Sequence, residues 1–244
     1  LLLRREHYAE EVPADVDLVT CGVDTQDDRL EALVVGWSAG ETSWVISRES
    51  FPGDPEHAET WRALDEMLMR QWPREGGGHA RIVSTLVDCL GHRTGAVYRA
   101  VIPRQPRGVR ASVGRDGGLH GQIVSPPKAL RTQHGTVLRH LVDASQVKAL
   151  IYSRLKIEDP TLPGYVHFPH TVGDAFFSEL TAEHQVFARN KYGVPSRKWA
   201  MRPGHERNET LDTFGLALAA LRIVAPTPAR FAVVAARLAP FAWR

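Results

Sequence analysis

The chain has few cysteines and no long apolar run, and both shortages exclude whole classes of protein. Its 244 residues include two cysteines, Cys21 and Cys89, without the CxxC or CxxxxH spacing of a zinc site. A disulfide framework is therefore excluded, and we expect both thiols to be small buried fillers. No stretch approaches the ~18–20 apolar residues of a membrane span, and the N-terminus lacks a signal-peptide pattern, which together predict a cytoplasmic protein.

Nucleotide-binding and metal-binding motifs are also missing. No GxxxxGK[ST] sequence occurs, so the chain carries no nucleoside-triphosphate motor of its own. The histidines have no metal-ligand spacing, and His92, four residues after Asp88, is the single candidate among them for a general base. The chain begins at Leu1 without a methionine, from which we expect it to be a piece of a longer polypeptide.

Charge is nearly balanced overall but unevenly distributed. The formal net charge is +2; residues 6–31 contain nine acids against one base, and residues 93–139 contain nine lysines or arginines against one acid. A second basic stretch, residues 189–207, includes Lys191. An acidic centre flanked by basic segments favours an enzyme that holds cations while binding a polyanion, although solvated loops would give the same pattern. The candidate polyanion-binding residues are Arg104, Arg107, Arg110, Arg115, Arg197, Lys198, Arg202 and Arg207.

Hydrophobic periodicity predicts a mixed α/β fold. Three antiparallel strands, a crossover helix and a further strand parallel to the first form the order of the ribonuclease H-like fold, in which the first and fourth strands are adjacent. Residues 101–135, rich in proline, glycine and arginine, are predicted to form a long basic β-ribbon or loop insertion. The predicted strands are 17–24, 30–37, 42–50, 81–88, 136–142 and an edge strand at 164–169, and the predicted helices are 56–72, 91–100, 144–155, 174–187 and 208–224.

Three aspartates occupy the ends of these elements. Asp24 and Asp88 end two strands that we expect to lie side by side, ~4.8 Å apart. Asp212 lies in the first turn of the last long helix, where Gly215 and Ala219 on the same side allow a close approach to the sheet. Carboxylates so placed can hold two Mg²⁺ or Mn²⁺ ions ~3.5–4 Å apart, as phosphodiester hydrolysis by a two-metal nuclease requires.

Other roles for acidic residues stay open at this point. Aspartate is a common turn and cap residue, and the chain has 28 acids, so Asp24 taken alone could be a turn former. Asp143 also ends a strand, and an N-cap on the following helix is favoured over a place near the metals. Glu209, one turn before Asp212, is a weaker candidate ligand, and the helix N-terminus favours the ionised form of both.

Seven blocks of the sequence form a recognisable series. The most specific are Val-Asp-x-Gln-Asp-Asp-Arg-Leu-Glu at residues 23–31 and Asn-Glu-x-Leu-Asp at residues 208–212. Together the blocks resemble the nuclease domain of the large terminase subunit of lambda-type tailed phages, the terminase GpA family. The resemblance covers nearly the whole chain in the same order. The blocks are residues 8–13, 22–31, 35–37, 87–94, 164–169, 180–183 and 207–212.

The resemblance implies a ribonuclease H-like endonuclease that uses two Mg²⁺ or Mn²⁺ ions to cut concatemeric viral DNA at the start and end of genome packaging. Its acidic cluster would be Asp24, Asp88 and Asp212. An upstream ATPase domain is implied, with residues 1–16 a linker, 17–225 the nuclease domain and 226–244 a tail. The implied partners are double-stranded DNA, the small terminase subunit and the portal protein, in the cytoplasm of the infected host and transiently at the procapsid portal.

Two other functions remain possible from the sequence. A junction resolvase or transposase of the same fold would carry a similar acidic cluster but would act on branched DNA or transposon ends. A non-catalytic DNA-binding or motor-docking module would use its acids structurally.

The segment 102–110 carries more proline and arginine than the family pattern, so its strand and loop assignment is the least supported.

Overall fold

The computed structural model describes residues 1–8, 11–189, 193 and 195–242, with side chains as far as residue 237. Lys191 and the last two residues of the predicted tail lie outside this part. The strands are β1 Arg5–Glu6, β2 Leu18–Thr25, β3 Arg29–Trp37, β4 Ser43–Pro52, β5 Trp72–Pro73, β6 His79–Ala80, β7 Ile82–Asp88, β8 Val109–Arg115, β9 Lys128–Thr132, β10 Gly135–Asp143, β11 Val166–Pro169, β12 Glu183–Arg189 and β13 Pro195–Met201. The helices are α1 Ala58–Leu68, α2 Thr94–Val101, α3 Ala144–Arg154, α4 Asp174–Leu180, α5 Glu209–Val224 and α6 Pro228–Ala242.

A nine-stranded mixed sheet organises the chain. Its strand order is β1-β11-β4-β3-β2-β7-β8-β10-β9. The meander β2-β3-β4 is antiparallel, whereas β7 pairs parallel to β2, β8 parallel to β7, and β10 parallel to β8. The predicted neighbours β2 and β7 are therefore adjacent and parallel, and their carboxyl ends meet at one edge of the sheet.

Helices cover both faces of the sheet, and the two-residue period of a strand decides which side chain meets which layer. In β2, Val19, Cys21 and Val23 pack with residues of α1 and α2 in one buried core. Leu18 instead belongs to the second core, which contains α3, α4 and α5. Continuing this alternation, Asp24 at the end of β2 projects on the face that α5 covers.

The closest approach between α5 and the sheet occurs at Gly22. A Cβ on Gly22 would lie 2.0 Å from the Thr213 carbonyl oxygen and 2.7 Å from the Ala217 backbone nitrogen. Nearby, Thr20 Oγ1 donates a 2.8 Å hydrogen bond to the Ala217 carbonyl oxygen. The missing side chain at Gly22 thus sets the distance between β2 and the helix that carries Asp212.

Replacing Gly22 by alanine is expected to lower the free energy of unfolding by about 2–3 kcal/mol, because the added methyl group would overlap backbone atoms of α5 that have no free space to move into. Chemical denaturation measures the change. The matched control is Gly95→Ala in α2, where a Cβ meets no atom within 4 Å. That variant should be neutral or slightly stabilising, and equal losses in both would contradict the close approach.

Three sequence-based assignments are wrong in detail. Residues 109–115 are not part of a ribbon: they form β8 inside the sheet, between β7 and β10, because Val109 and Ala111 are buried there. β11 is not an edge strand, since it lies between β4 and β1. The helix predicted over 174–187 ends at Leu180, and the following residues form β12, which pairs with β13 as a separate hairpin.

The two ends of the chain also form regular structure. β1, from the segment predicted to be a linker, pairs parallel with β11. In the predicted tail, α6 follows α5, and Phe231 at its start is buried. No single helix among the described residues is long and apolar enough to cross a bilayer; α5 and Pro228–Arg237 reach that length and composition only as a pair bent by 81°.

Candidate active site

Asp24, Asp88 and Asp212 line one cavity. The parallel register pairs Val23 with Val87, so Asp24 and Asp88 follow at neighbouring strand ends. Asp212 enters from the first turn of α5. The cavity has a volume of about 180 Å³, and Lys148 of α3 is the one basic side chain among its lining residues. Three elements far apart in the sequence therefore bring three carboxylates to one place, as predicted.

Burial and repulsion by neighbouring carboxylates destabilise the ionised forms of the two strand-end acids. Asp24 is 8% exposed, and burial followed by the charge of Asp212 raises its pKa to about 6. Burial and then the charge of Asp24 raise the pKa of Asp88 to about 7. Gln26 Nε2 donates a 2.5 Å hydrogen bond to Asp24 Oδ2, and within the described residues neither acid forms an ion pair. A cation in the cavity would offset this repulsion.

Asp212 is already engaged by protein donors. Lys148 Nζ lies 3.1 Å from Asp212 Oδ1, and Asn208 Nδ2 donates a 2.9 Å hydrogen bond to Asp212 Oδ2. The same two side chains also contact Glu183: both the Lys148 and the Asn208 nitrogen lie 2.6 Å from its Oε1. Burial raises the pKa of Asp212, and Lys148 opposes that rise. Both carboxylate oxygens of Asp212 are thus occupied.

Glu209 belongs to a neighbouring network of arginines and glutamates. Its Oε1 lies 2.8 Å from Arg29 Nη2 and 3.2 Å from Arg207 Nε, and both arginines also contact Glu31. Burial acts to raise the pKa of Glu209, but its own backbone N–H and the two arginines outweigh burial and lower it. In this arrangement Glu209 is a partner of arginines, which makes it less available to a metal ion than Asp24 or Asp88.

The donor chemistry of the cavity fits a hard divalent ion. Asp24, Asp88 and Asp212 supply only oxygen ligands, which Mg²⁺ and Mn²⁺ prefer. Within the part of the chain that is described, however, no three His, Cys, Asp or Glu side chains already stand in a ready ligand set. Asp212 would have to leave Lys148 and Asn208 before it could join Asp24 and Asp88 as a metal ligand.

A larger cavity of about 810 Å³ lies elsewhere, against β10, α3 and the end of α5. Its lining includes His140, Leu150 and Ile223 but no carboxylate. His140 Nδ1 contacts the Ser125 carbonyl oxygen, and burial lowers the pKa of this imidazole. The three aspartates and Lys148 all line the smaller cavity, so we place the candidate site there.

Comparison with known proteins decides the family. The model of the family described as "Terminase large subunit gpA, endonuclease domain" matches residues 1–231. The chain belongs to this family. It is 33% identical over 228 residues to the terminase large subunit of Escherichia phage lambda, which covers 90% of this chain and 34% of that protein. No solved structure matches it significantly.

A second relative is similar over the same part. The terminase large subunit of Enterobacteria phage P21 is 27% identical over 224 residues, covering 88% of this chain and 34% of that protein. The chain therefore spans about a third of the length of both curated relatives. The resemblance inferred from the sequence blocks is confirmed, and the match describes a terminase nuclease domain.

Most of the predicted DNA-binding residues of this gpA-type domain have partners within the protein. Arg104 and Arg107 share the carboxylate of Asp65 in α1, and Arg110 donates to the Gln105 carbonyl oxygen. Arg202 Nε donates to the Thr181 carbonyl oxygen, and Arg207 forms ion pairs with glutamates although its side chain is 49% exposed. Arg115 ends β8 at the same sheet edge as the acids, and Arg197 and Lys198 lie exposed on β13.

Several other sequence-based assignments can be placed. The Asp143 side chain accepts a 3.0 Å hydrogen bond from the Gln146 N–H, which confirms its role as the N-cap of α3. His92 is exposed in the turn after β7 and does not line the acidic cavity. Cys21 and Cys89 are free and buried, as expected of small fillers.

Sequence reasoning missed Lys148, Glu183 and Asn208. Lys148 directly follows Val147, which belongs to the apolar stripe of α3, and nothing in that pattern distinguishes it from a lysine at the edge of a buried face. Asn208 was noticed only as part of the Asn-Glu-x-Leu-Asp block. Its spacing of four residues from Asp212, one helical turn, is the single local signal that the two side chains could meet.

Proposed function

We propose that this chain is a metal-dependent DNA endonuclease of a viral genome-packaging terminase, cutting concatemeric double-stranded DNA by two-metal-ion phosphodiester hydrolysis. The observation that carries the proposal is the convergence of Asp24, Asp88 and Asp212 on one cavity at a sheet edge. The strand order β4-β3-β2-β7-β8, with helices between β4 and β7 and between β7 and β8, supports a ribonuclease H-like core. Membership of the gpA endonuclease-domain family supports the substrate class.

The chain's own residues would hold and position the reacting groups. Asp24 is the proposed shared ligand, and Asp88 and Asp212 would each hold one ion; Glu209 is a weaker fourth candidate. When bound, divalent ions supply Lewis-acid stabilisation of charge on the phosphate and lower the pKa of an attacking water. Gln26 fixes the orientation of the Asp24 carboxylate, and the apolar lining of the cavity lowers the local dielectric, which strengthens each electrostatic contact.

Basic residues near this edge would bind the DNA backbone. Arg115 ends β8 at the same edge of the sheet as the acids, and the β12-β13 hairpin begins at Glu183, which contacts Lys148 of the site. On that hairpin Arg197 lies over the ring of Phe187, 5.5 Å from its centroid, and the ring is 80% exposed. Contacts between these basic side chains and DNA phosphates would give an affinity that depends on salt and is largely independent of DNA sequence.

The partners and place of action follow from the family and remain proposals for the full protein. An ATPase domain of the same polypeptide would precede this chain, and the small terminase subunit and portal protein would bind the full protein. The cleavage would occur in the cytoplasm of the infected bacterium, transiently at the procapsid portal.

A cleavage assay tests the proposal. We expect the purified chain to nick supercoiled plasmid and cut linear duplex DNA with Mg²⁺ or Mn²⁺, and to lose this activity in EDTA. A strong preference for four-way junctions over linear duplex would instead favour a resolvase-type nuclease. DNA binding without cleavage in either metal, together with no Mn²⁺ binding by calorimetry, would indicate a non-catalytic binding module and reject the proposal.

A further inference from the structure

Lys148 lies between the catalytic-site acids and a second carboxylate. It lines the cavity that holds Asp24, Asp88 and Asp212, and it also lines an adjoining cavity that contains Glu183 and Asn208. Its Nζ is 2.6 Å from Glu183 Oε1 and 3.1 Å from Asp212 Oδ1, and its side chain is 15% exposed. A single ammonium group therefore connects the proposed metal site to an anchor outside it.

The charges of the cavity explain why this lysine is needed. Three aspartates and one lysine among the lining residues leave a formal charge of −2 when all are ionised. Asp24 and Asp88 find no cationic partner among the described side chains, and Lys148, the one basic residue in the lining, pairs with the third acid, Asp212. Isolated carboxylates this close would be costly to keep ionised without it.

The contacts also explain how the lysine could change partners. Glu183 is held independently, because Asn208 Nδ2 contacts the same Oε1 oxygen at 2.6 Å. The Glu183 side chain is 7% exposed, so it would keep Lys148 in place even when Asp212 turned away. Lys148 can therefore release Asp212 without moving into solvent.

We propose that Lys148 is the resting counter-ion of Asp212: it gives up that carboxylate when a divalent ion binds and then contacts a phosphate oxygen of the DNA strand. The inference rests on the proposed nuclease function and adds a residue to it. A divalent ion and Lys148 compete for Asp212, so the lysine weakens metal binding to the free protein. Once the DNA is bound, the same ammonium, held by Glu183, adds positive charge where negative charge develops on the phosphate.

This double role predicts effects of opposite sign in one variant. In Lys148→Met, removing a competing charge a few ångströms from the metal ligands should tighten Mn²⁺ binding to the DNA-free protein by about tenfold. Nicking at saturating Mn²⁺ should nevertheless slow by about tenfold or more, since the phosphate contact is lost. A lysine with only a structural role would weaken metal binding and slow cleavage together.

Calorimetry with MnCl₂ and single-turnover nicking at saturating Mn²⁺ measure the two effects on the whole chain. Because Lys148→Met leaves Glu183 without its cation, the double variant Lys148→Met/Glu183→Gln removes both charges and should show the same opposite effects. The matched control is Lys156→Met, since Lys156 is exposed just beyond α3; it should leave both quantities unchanged.

The outcomes separate this inference from the function on which it rests. Tighter Mn²⁺ binding with slower nicking in both Lys148 variants supports it. Mn²⁺ binding that is unchanged or weaker in the folded variants overturns the role of Lys148 while the nuclease proposal stands. An absence of Mn²⁺ binding and of cleavage by the wild-type chain overturns the metal-site proposal itself, and the inference falls with it.

Discussion

Asp24→Asn is expected to reduce metal-dependent plasmid nicking by at least about 10³-fold, equivalent to about 4 kcal/mol of transition-state stabilisation. Asparagine has nearly the shape of aspartate and can still accept the Gln26 hydrogen bond, but it lacks the charge that a shared metal ligand needs. The loss should appear in the cleavage rate at saturating Mg²⁺ or Mn²⁺. Binding of duplex DNA should change little, because the phosphate contacts come from other residues.

Asp143→Asn is the matched control for that loss. Asp143 also ends a strand of the sheet and is fully buried, but its carboxylate caps α3 by accepting from the Gln146 N–H. Asparagine caps helices as well as aspartate does, so this variant should fold and retain cleavage. Normal nicking by Asp24→Asn would remove Asp24 from the site, and loss of nicking in both variants would show that strand-end acids matter only for folding.

The same Asp24→Asn variant is expected to be more stable than the wild-type chain in EDTA. In the wild-type chain, the pKa of Asp24 rises from 3.8 to about 6 on folding, so the folded protein holds the ionised Asp24 carboxylate at a cost in stability. By the linkage relation, removing that cost at pH 8 should raise the free energy of unfolding by about 2–3 kcal/mol. Urea denaturation of the two proteins in EDTA measures the difference.

The pH and metal dependence of that gain identify its cause. Because the folded-state pKa is raised, the cost is small near pH 4, grows between pH 3.8 and about 6, and is complete above about pH 7. The gain should shrink accordingly at low pH, and saturating Mn²⁺ at pH 8 should stabilise the wild-type chain more than the variant. Asp15→Asn, which removes an exposed carboxylate, is the control and should have little effect. A variant less stable than wild type at pH 8 would contradict the repulsion among the acids.

Opposite effects on stability and activity are what a functional charge cluster should produce. Replacing a residue that serves only the fold lowers the stability of the folded protein. Carboxylates held close together for a ligand instead repel one another until the ligand binds, so replacing one of them raises the stability. Asp24 and Asp88 meet this description because burial and a neighbouring carboxylate raise both pKa values; the neighbour is Asp212 for Asp24, and Asp24 for Asp88. Asp143, which has a backbone partner, does not.

Much of the sheet could be predicted because its strands have clear local patterns. The mainly apolar runs of β2, β3 and β7, and the tight turn after Asp24, define the meander and the strand that returns beside it. Parallel pairing of β2 with β7 then follows from the crossover through α1. The meeting of Asp24 and Asp88 was predictable for this reason.

Tertiary pairing overrode local pattern elsewhere. The short strand β8 follows a proline- and arginine-rich 3-10 turn and begins after Gly108, whose φ is +85°, so the sequence around it resembles a loop. Glu183–Arg189 continues the apolar spacing of α4 but pairs along its whole length with β13. In both segments the strand conformation depends on pairing with strands that are distant in the sequence. Local hydrophobic periodicity carries no information about that pairing.

The polar surroundings of the acids were less predictable than the acids themselves. Lys148 meets Asp212 only because α3 packs against α5, and Glu183 meets Lys148 only because α4 ends at Leu180. Neither contact has a local sequence signal. The ion pairs of Arg104 and Arg107 with Asp65 have no local sequence signal either, since the basic stretch by itself predicts only DNA contacts.

Anomalous diffraction from crystals soaked in Mn²⁺ at pH 8 would examine the metal site most directly, since both strand-end acids are ionised there. The account predicts Mn²⁺ peaks within ligand distance of Asp24 and Asp88, with the Asp212 carboxylate rotated from Lys148 towards the ion. Strong peaks only at other carboxylates, or an empty cavity at saturating Mn²⁺, would contradict it.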